Sequence, residues 1–152
     1  GFIIGWFWRF NPERQIKKGL DTMAGLGSAA VGESPIAKVV KSRKLSEYFS
    51  ENAIIKWPGD EVIPAGQWSG REQIGQQVLA AKNSATYQVS IEDLDVASNR
   101  RQREATARFT LVVREGVRAT WAWLGEARLI KDRDHRGQWL VTQLAFSSIL
   151  RR

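Results

Sequence analysis

The sequence predicts an α+β fold: about three N-terminal helices covering one face of a long, bent antiparallel sheet. Three observations lead there. Residues Thr86 to Ser148 read as four strands in succession, parted by short turns. The first half instead carries helix-start signals at Asn11-Pro12, Ser34-Pro35 and Ser69 to Glu72. The 152 residues are 43% apolar and 26% charged, the balance of one soluble domain with a core rather than of a disordered chain. That domain is expected over residues 11–152, with 1–10 a segment of another kind.

Residues 1–10 (GFIIGWFWRF) are too apolar for a water-exposed start and too short for a bilayer span, which takes about 20 residues. They read as the stump of a membrane anchor, with Trp6 and Trp8 at the lipid–water boundary. The plainer alternatives are an apolar segment docked on the domain and a soluble cytoplasmic protein. Arg9, Arg14, Lys17 and Lys18 follow. They favour a cytoplasmic domain by the positive-inside tendency but leave a periplasmic one open.

Asn11 is a good N-cap and Pro12 suits the first helical position. Ile16, Leu20, Met23 and Ala24 then form the buried stripe, which ends at Gly25 and Gly27. Ser34-Pro35 repeats the start signal, with Ile36, Val39 and Val40 on one face. Leu45, Tyr48 and Phe49 fall on the opposite side of a straight helix, so a break near Lys41 to Arg43 is expected. Ala53 to Trp57 reads as a short strand stopped by Pro58-Gly59, and Gln67-Trp68 as a brief one. Ser69 to Glu72 has the spacing of a capping box, ahead of a helix buried through Ile74, Val78 and Ala81.

In the four-strand run, Tyr87, Val89 and Ile91 alternate with polar residues. The apolar parity then jumps to Leu94 and Val96, which predicts a β-bulge near Glu92-Asp93 and a bend. Ala105, Ala107, Phe109, Leu111 and Val113 share one face of the next strand, and Glu115-Gly116 suits a hairpin turn. Trp121, Trp123, Ala127 and Leu129 share a face of the third strand. Trp139, Val141 and Ala145 oppose Leu140, Leu144 and Phe146 on the last. Apolar residues on both faces of the last two strands predict a second covering layer, most simply another copy of the chain.

This order resembles the nuclear transport factor 2-like superfamily, which includes the SnoaL-like cyclases and ketosteroid isomerase. The marks are Tyr48 to Ala53 leading into the first strand, Trp68 to Ile74 at the capped helix, and Gly137-Gln138-Trp139 opening the last strand. The resemblance covers roughly Pro12 to Ile149. It implies a cone, with a strongly curved antiparallel sheet wrapped around the helices and an open-ended pocket, and a homodimer through the outer sheet face. It also implies that function varies: the superfamily holds enzymes, carriers and membrane-tethered assembly domains.

The chemistry is sparse. In the resemblance, ketosteroid isomerase carries its general-base Asp just before a Pro at the end of the first strand. Trp57 stands there in Trp57-Pro58, and an indole cannot take a proton from a carbon acid. The remaining acid–base candidates are Asp60, otherwise a turn residue, and Glu126, otherwise a cross-strand ion pair with Arg108. Of the seven tryptophans, Trp57, Trp68 and Trp121, with Tyr87, are candidates to line a pocket for a small apolar ligand. Their plainer role is core and interface. The absence of cysteine excludes disulfides and thiol chemistry, and a single histidine, His135, argues against a histidine-built metal site or triad. No cofactor is expected, because Gly25-Leu26-Gly27 lacks the lysine and strand of a phosphate loop. The net charge of +7 and pI near 10.1 suit an anionic surface. The basic residues are nevertheless dispersed, except at Arg100, Arg101 and Arg103, so nucleic acid is not the expected partner. The expectation is a non-catalytic ligand-binding or assembly domain at a membrane. The alternative is an enzyme of isomerase, dehydratase or hydrolase type acting on an apolar substrate.

Overall fold

The computed structural model describes residues 11–59, 65–99, 101, 103–116, 119–132 and 138–148. Its elements run α1 (Pro12–Gly27), α2 (Pro35–Ser46), β1 (Phe49–Trp57), β2 (Gly66–Ser69) and α3 (Arg71–Ser84). Four longer strands follow: β3 (Gln88–Asn99), β4 (Glu104–Glu115), β5 (Ala119–Lys131) and β6 (Trp139–Ser148). The six strands form one curved, unclosed sheet in the order β2-β1-β6-β5-β4-β3. Every neighbouring pair is antiparallel except β1 and β6, which run parallel. This is the α+β cone expected from the sequence, with one parallel seam where the last strand slots beside the first.

The core lies between the helices and the inner sheet face. Ile16 and Leu20 of α1 and Ile74 of α3 meet Phe49 and Ile55 of β1, Ala107 and Phe109 of β4, and Leu129 and Val141 of the last two strands. The Asn11 carboxamide accepts from the Glu13 N–H at 3.0 Å, and the Ser34 hydroxyl accepts from the Ala37 N–H at 3.1 Å. Two of the three predicted N-caps therefore form. The bulge in β3 lies between Glu92 and Asp95, with Asp93 at φ 52°, and it brings Ile91, Leu94 and Val96 to the same core. Gly116 turns the β4–β5 hairpin at φ 58°.

Three local expectations change. First, α2 does not break. It runs unbroken through Ser46 and buries Ser42 and Leu45, while Ile36, Val39 and Val40 are 77%, 45% and 43% exposed. The face carrying Leu45 wins because it seats over Gly27 of α1, where an added Cβ would lie 3.7 Å from the Leu45 side chain, and because Ser42 and Ser46 let α2 approach Gly75 of α3. Second, Ser69 does not cap α3. It ends β2 opposite Ile54, the N-cap is Gly70 at φ 91°, and the Ser69 N–H donates to the Gln73 side chain at 2.6 Å. The Gly70 N–H bonds to the Ala53 carbonyl at 2.8 Å, which delays the exit from the sheet by one residue. Third, β6 shifts register: Val141 pairs with Leu129, but Gln143 pairs with Arg128. This irregularity at Thr142 puts Trp139, Val141, Leu144 and Phe146 all against the core. The last strand is therefore less two-faced than its alternation suggests.

Candidate functional site

Trp57 closes β1 at the position where the isomerase resemblance puts a base. Its inward direction follows from the alternation of Phe49, Ala53 and Ile55, all buried. Trp57 meets Trp68 edge to face, with centroids 5.0 Å apart at 67°. Its ring also lies over Gly66, its register partner on β2, where an added Cβ would collide with it. This end of the cone is thus packed with indole. Such a pair adds about 0.5–1.5 kcal/mol beyond the area that it buries.

A cavity of about 430 Å³ opens at the opposite end of β1, beside Tyr48 and the start of β6. Eight residue steps along a strand put it roughly 26 Å from Trp57. Ile16, Leu20 and Met23 of α1 and Leu129 and Val141 of the sheet form its apolar wall. Tyr48 and Trp139 supply aromatic edges, and Gln15, Lys18, Thr22 and Gln138 supply polar groups. The Trp139 indole N–H donates to the Gln15 side-chain oxygen at 3.2 Å, tying β6 to α1 at the rim. Gly19 faces Tyr48, and a Cβ there would lie 3.9 Å from the ring. Among the described lining residues there is no carboxylate and no histidine.

A second polar cluster joins the helices. The Glu33 carboxylate, 4% exposed, receives the Lys41 ammonium at 2.9 Å and lies 3.6 Å from that of Lys82, whose side chain is fully buried. Lys82 also donates to the Ser28 carbonyl at 2.6 Å. The Lys41 hydrogen bond lowers the pKa of Glu33 against an opposing effect of burial. Burial lowers that of Lys82, and Glu33 opposes the shift. Tyr87 nearby is raised by burial and then by the Glu33 charge. One Glu33 oxygen makes no hydrogen bond, so Lys82 holds it by charge alone. This cluster pins the α1–α2 turn to α3, and neither its geometry nor its pKa shifts point to a reaction.

The predicted site residues do not assemble. Glu126 points from the outer sheet face and pairs with Arg108 at 3.3 Å, with its side chain 43% exposed. Of the two readings of Glu126, the cross-strand ion pair with Arg108 is the one formed, and the carboxylate is not among the residues lining the apolar cavity. Alternation decides it, since Gly125 and Ala127 take the inward positions. Asp60, His135 and Arg100 lie outside the described residues. Trp57 and Trp68 pack together, but neither lines the cavity. Tyr87 is half-buried near Glu33, and Trp121 is 42% exposed. The residues that do form the cavity, Tyr48 and Trp139 with α1, sit far apart in sequence. The Gln138-Trp139 and Tyr48 marks were the sequence signals closest to it. No group of histidine, cysteine, aspartate or glutamate that could hold a metal occurs among the described residues.

No family model matches the chain, and no curated protein matches it in sequence. Solved structures do match in shape. A protein of unknown function with a cystatin-like fold from Nostoc punctiforme superposes with a TM-score of 0.64 at 12% identity, over 88% of this chain and 87% of that one. A nuclear transport factor 2-like protein with a cystatin-like fold from Novosphingobium aromaticivorans gives 0.62 at 14%, over 88% and 81%. A provisionally named ketosteroid isomerase from Parabacteroides distasonis gives 0.59 at 18%, over 92% and 89%. These identities speak for shape and not for activity. The chain has the nuclear transport factor 2-like, cystatin-like fold.

Proposed function

We propose that this chain is a non-catalytic domain that binds an apolar ligand and assembles as a homodimer at a membrane. The observation that carries the binding role is the contrast between the two ends of β1. The end where an isomerase would hold its base is filled by Trp57 and Trp68. The end that is open has an apolar wall and, among its described lining residues, no group suited to acid–base work near neutral pH. The enzyme alternative is left with Asp60, since Glu126 faces away from the interior.

The membrane part rests on the apolar residues 1–10 and on Arg14, Lys17 and Lys18, exposed on the first turns of α1. No helix among the described residues is long and apolar enough to cross a membrane. The dimer rests on Leu124 and Ile130, 47% and 38% exposed on the outer sheet face. A thermal-shift screen with small apolar compounds, each recovered and analysed afterwards, tests the binding role. Binders should raise Tm and return chemically unchanged. Conversion of a compound by the protein, lost in Asp60→Asn, would sink this reading in favour of the enzyme.

A further inference from the structure

The apolar cavity does not end at its own wall. Lys18 and Thr22 also line a shallower groove along α1, whose other walls are Arg14, Lys17 and Asp21. The two spaces therefore adjoin across one helical turn. On one side stand Leu20, Met23 and Val141; on the other, among the described lining residues, Arg14, Lys17 and Lys18 with the carboxylate of Asp21. A ligand filling both would need an apolar body and one negative charge next to it. The helix places the charges for this purpose: Arg14, Lys17 and Lys18 are three and four residues apart, on neighbouring ridges of one exposed surface. Lys18 is the hinge, the cation among the described residues that belongs to both spaces.

We infer that the ligand is an anionic single-chain amphiphile, its chain between α1 and the start of β6 and its head group at Lys18, with Lys17 and Arg14 alongside. This rests on the binding role proposed above and names its chemical class. The cavity falls within the 300–1,000 Å³ typical of small-molecule sites. An ammonium beside low-dielectric walls attracts an anion more strongly than one in bulk water. Gln15 and Gln138 at the same rim suit the polar junction of such a molecule. A free carboxylate and a lipid head group would satisfy the same contacts.

Titration of the full chain with laurate, dodecanol and dodecyltrimethylammonium, each below its micelle or solubility limit, tests the assignment through intrinsic tryptophan fluorescence, compared with that of Trp139→Phe, and calorimetry. Laurate should bind, dodecanol about ten-fold more weakly, and the cationic probe more weakly still. Lys18→Glu should remove the preference for laurate and leave dodecanol binding unchanged. Gly19→Leu should fill the space before Tyr48 and abolish binding of every probe without lowering Tm, since leucine favours the helix more than glycine does. Anionic lysophospholipid in place of laurate separates the two sources, and tighter binding of either supports the class. Equal binding of laurate and dodecanol, sensitive to Gly19→Leu, overturns the anionic head group while the binding role survives. If no probe binds in a Gly19→Leu-sensitive manner, both fall.

Discussion

Lys82 has nowhere to put its charge except against Glu33. Its side chain is fully enclosed, and its other contact is the Ser28 carbonyl. Removing one member of a buried ion pair leaves the other uncompensated, which costs about 3–5 kcal/mol. Lys82→Met should fall near 3 kcal/mol by denaturant unfolding, because Lys41 still holds the second Glu33 oxygen. The same pair has a pH signature. The folded-state pKa of Glu33 lies below its ordinary 4.5. Its contribution is therefore complete above that value and lost as pH falls through the lower folded one. The acid limb of a stability–pH curve should be steeper for the native chain than for Glu33→Gln. Equal limbs would mean that the carboxylate is not held ionised by its neighbours. Nothing in the sequence marks this cluster, since Glu33 and Lys82 lie 49 positions apart (82 − 33) on elements that meet only in the fold.

The caps of α1 and α2 and the turn at Gly116 were legible at the level of single elements, because they are contacts within a few residues, whereas the capping box read at Ser69 gave way to a sheet contact. Asn11 and Ser34 bond to N–H groups two and three residues on. Ser34→Ala should cost about 1 kcal/mol in thermal or denaturant unfolding, the usual loss for an N-cap. Face selection was less legible. In α2 the aliphatic triad Ile36, Val39 and Val40 looks like the buried stripe, but Ser42 and Leu45 are the buried residues. The reason is steric: two serines and Gly75 permit a close α2–α3 approach that three branched side chains would not. In β6 the shift near Thr142 reverses the parity of Leu144 and Phe146. The bulge in β3 showed in the apolar pattern. That in β6 did not, because both parities there are apolar.

At the scale of the whole molecule, the outer sheet face mixes exposed Leu124 and Ile130 with the Arg108–Glu126 pair. The pair lies between the two aliphatics on β5, so a twofold partner that covers Leu124 and Ile130 also covers the pair. Light scattering should give a dimer for the native chain and a monomer for Leu124→Lys with Ile130→Lys, with Tm little changed. A native monomer would remove the dimer from the proposal. Vesicle flotation addresses the tether separately: the chain should float with anionic vesicles and lose that property when residues 1–10 are deleted.

The architecture was already written in local patterns. Period-two runs, capped helix starts and Gly116 are short-range facts, and short-range sterics and solvation suffice to make strands, helices and turns of them. Their order led to the cone. The cavity and the Lys82–Glu33 pin were not written there. Each depends on which side of an element meets which neighbour, and that choice is made by packing between residues far apart in the chain, 49 positions for Glu33 and Lys82 and 124 for Gln15 and Trp139. Trp139 finds Gln15, and Tyr48 comes beside α1, only when the last strand takes its place next to the first.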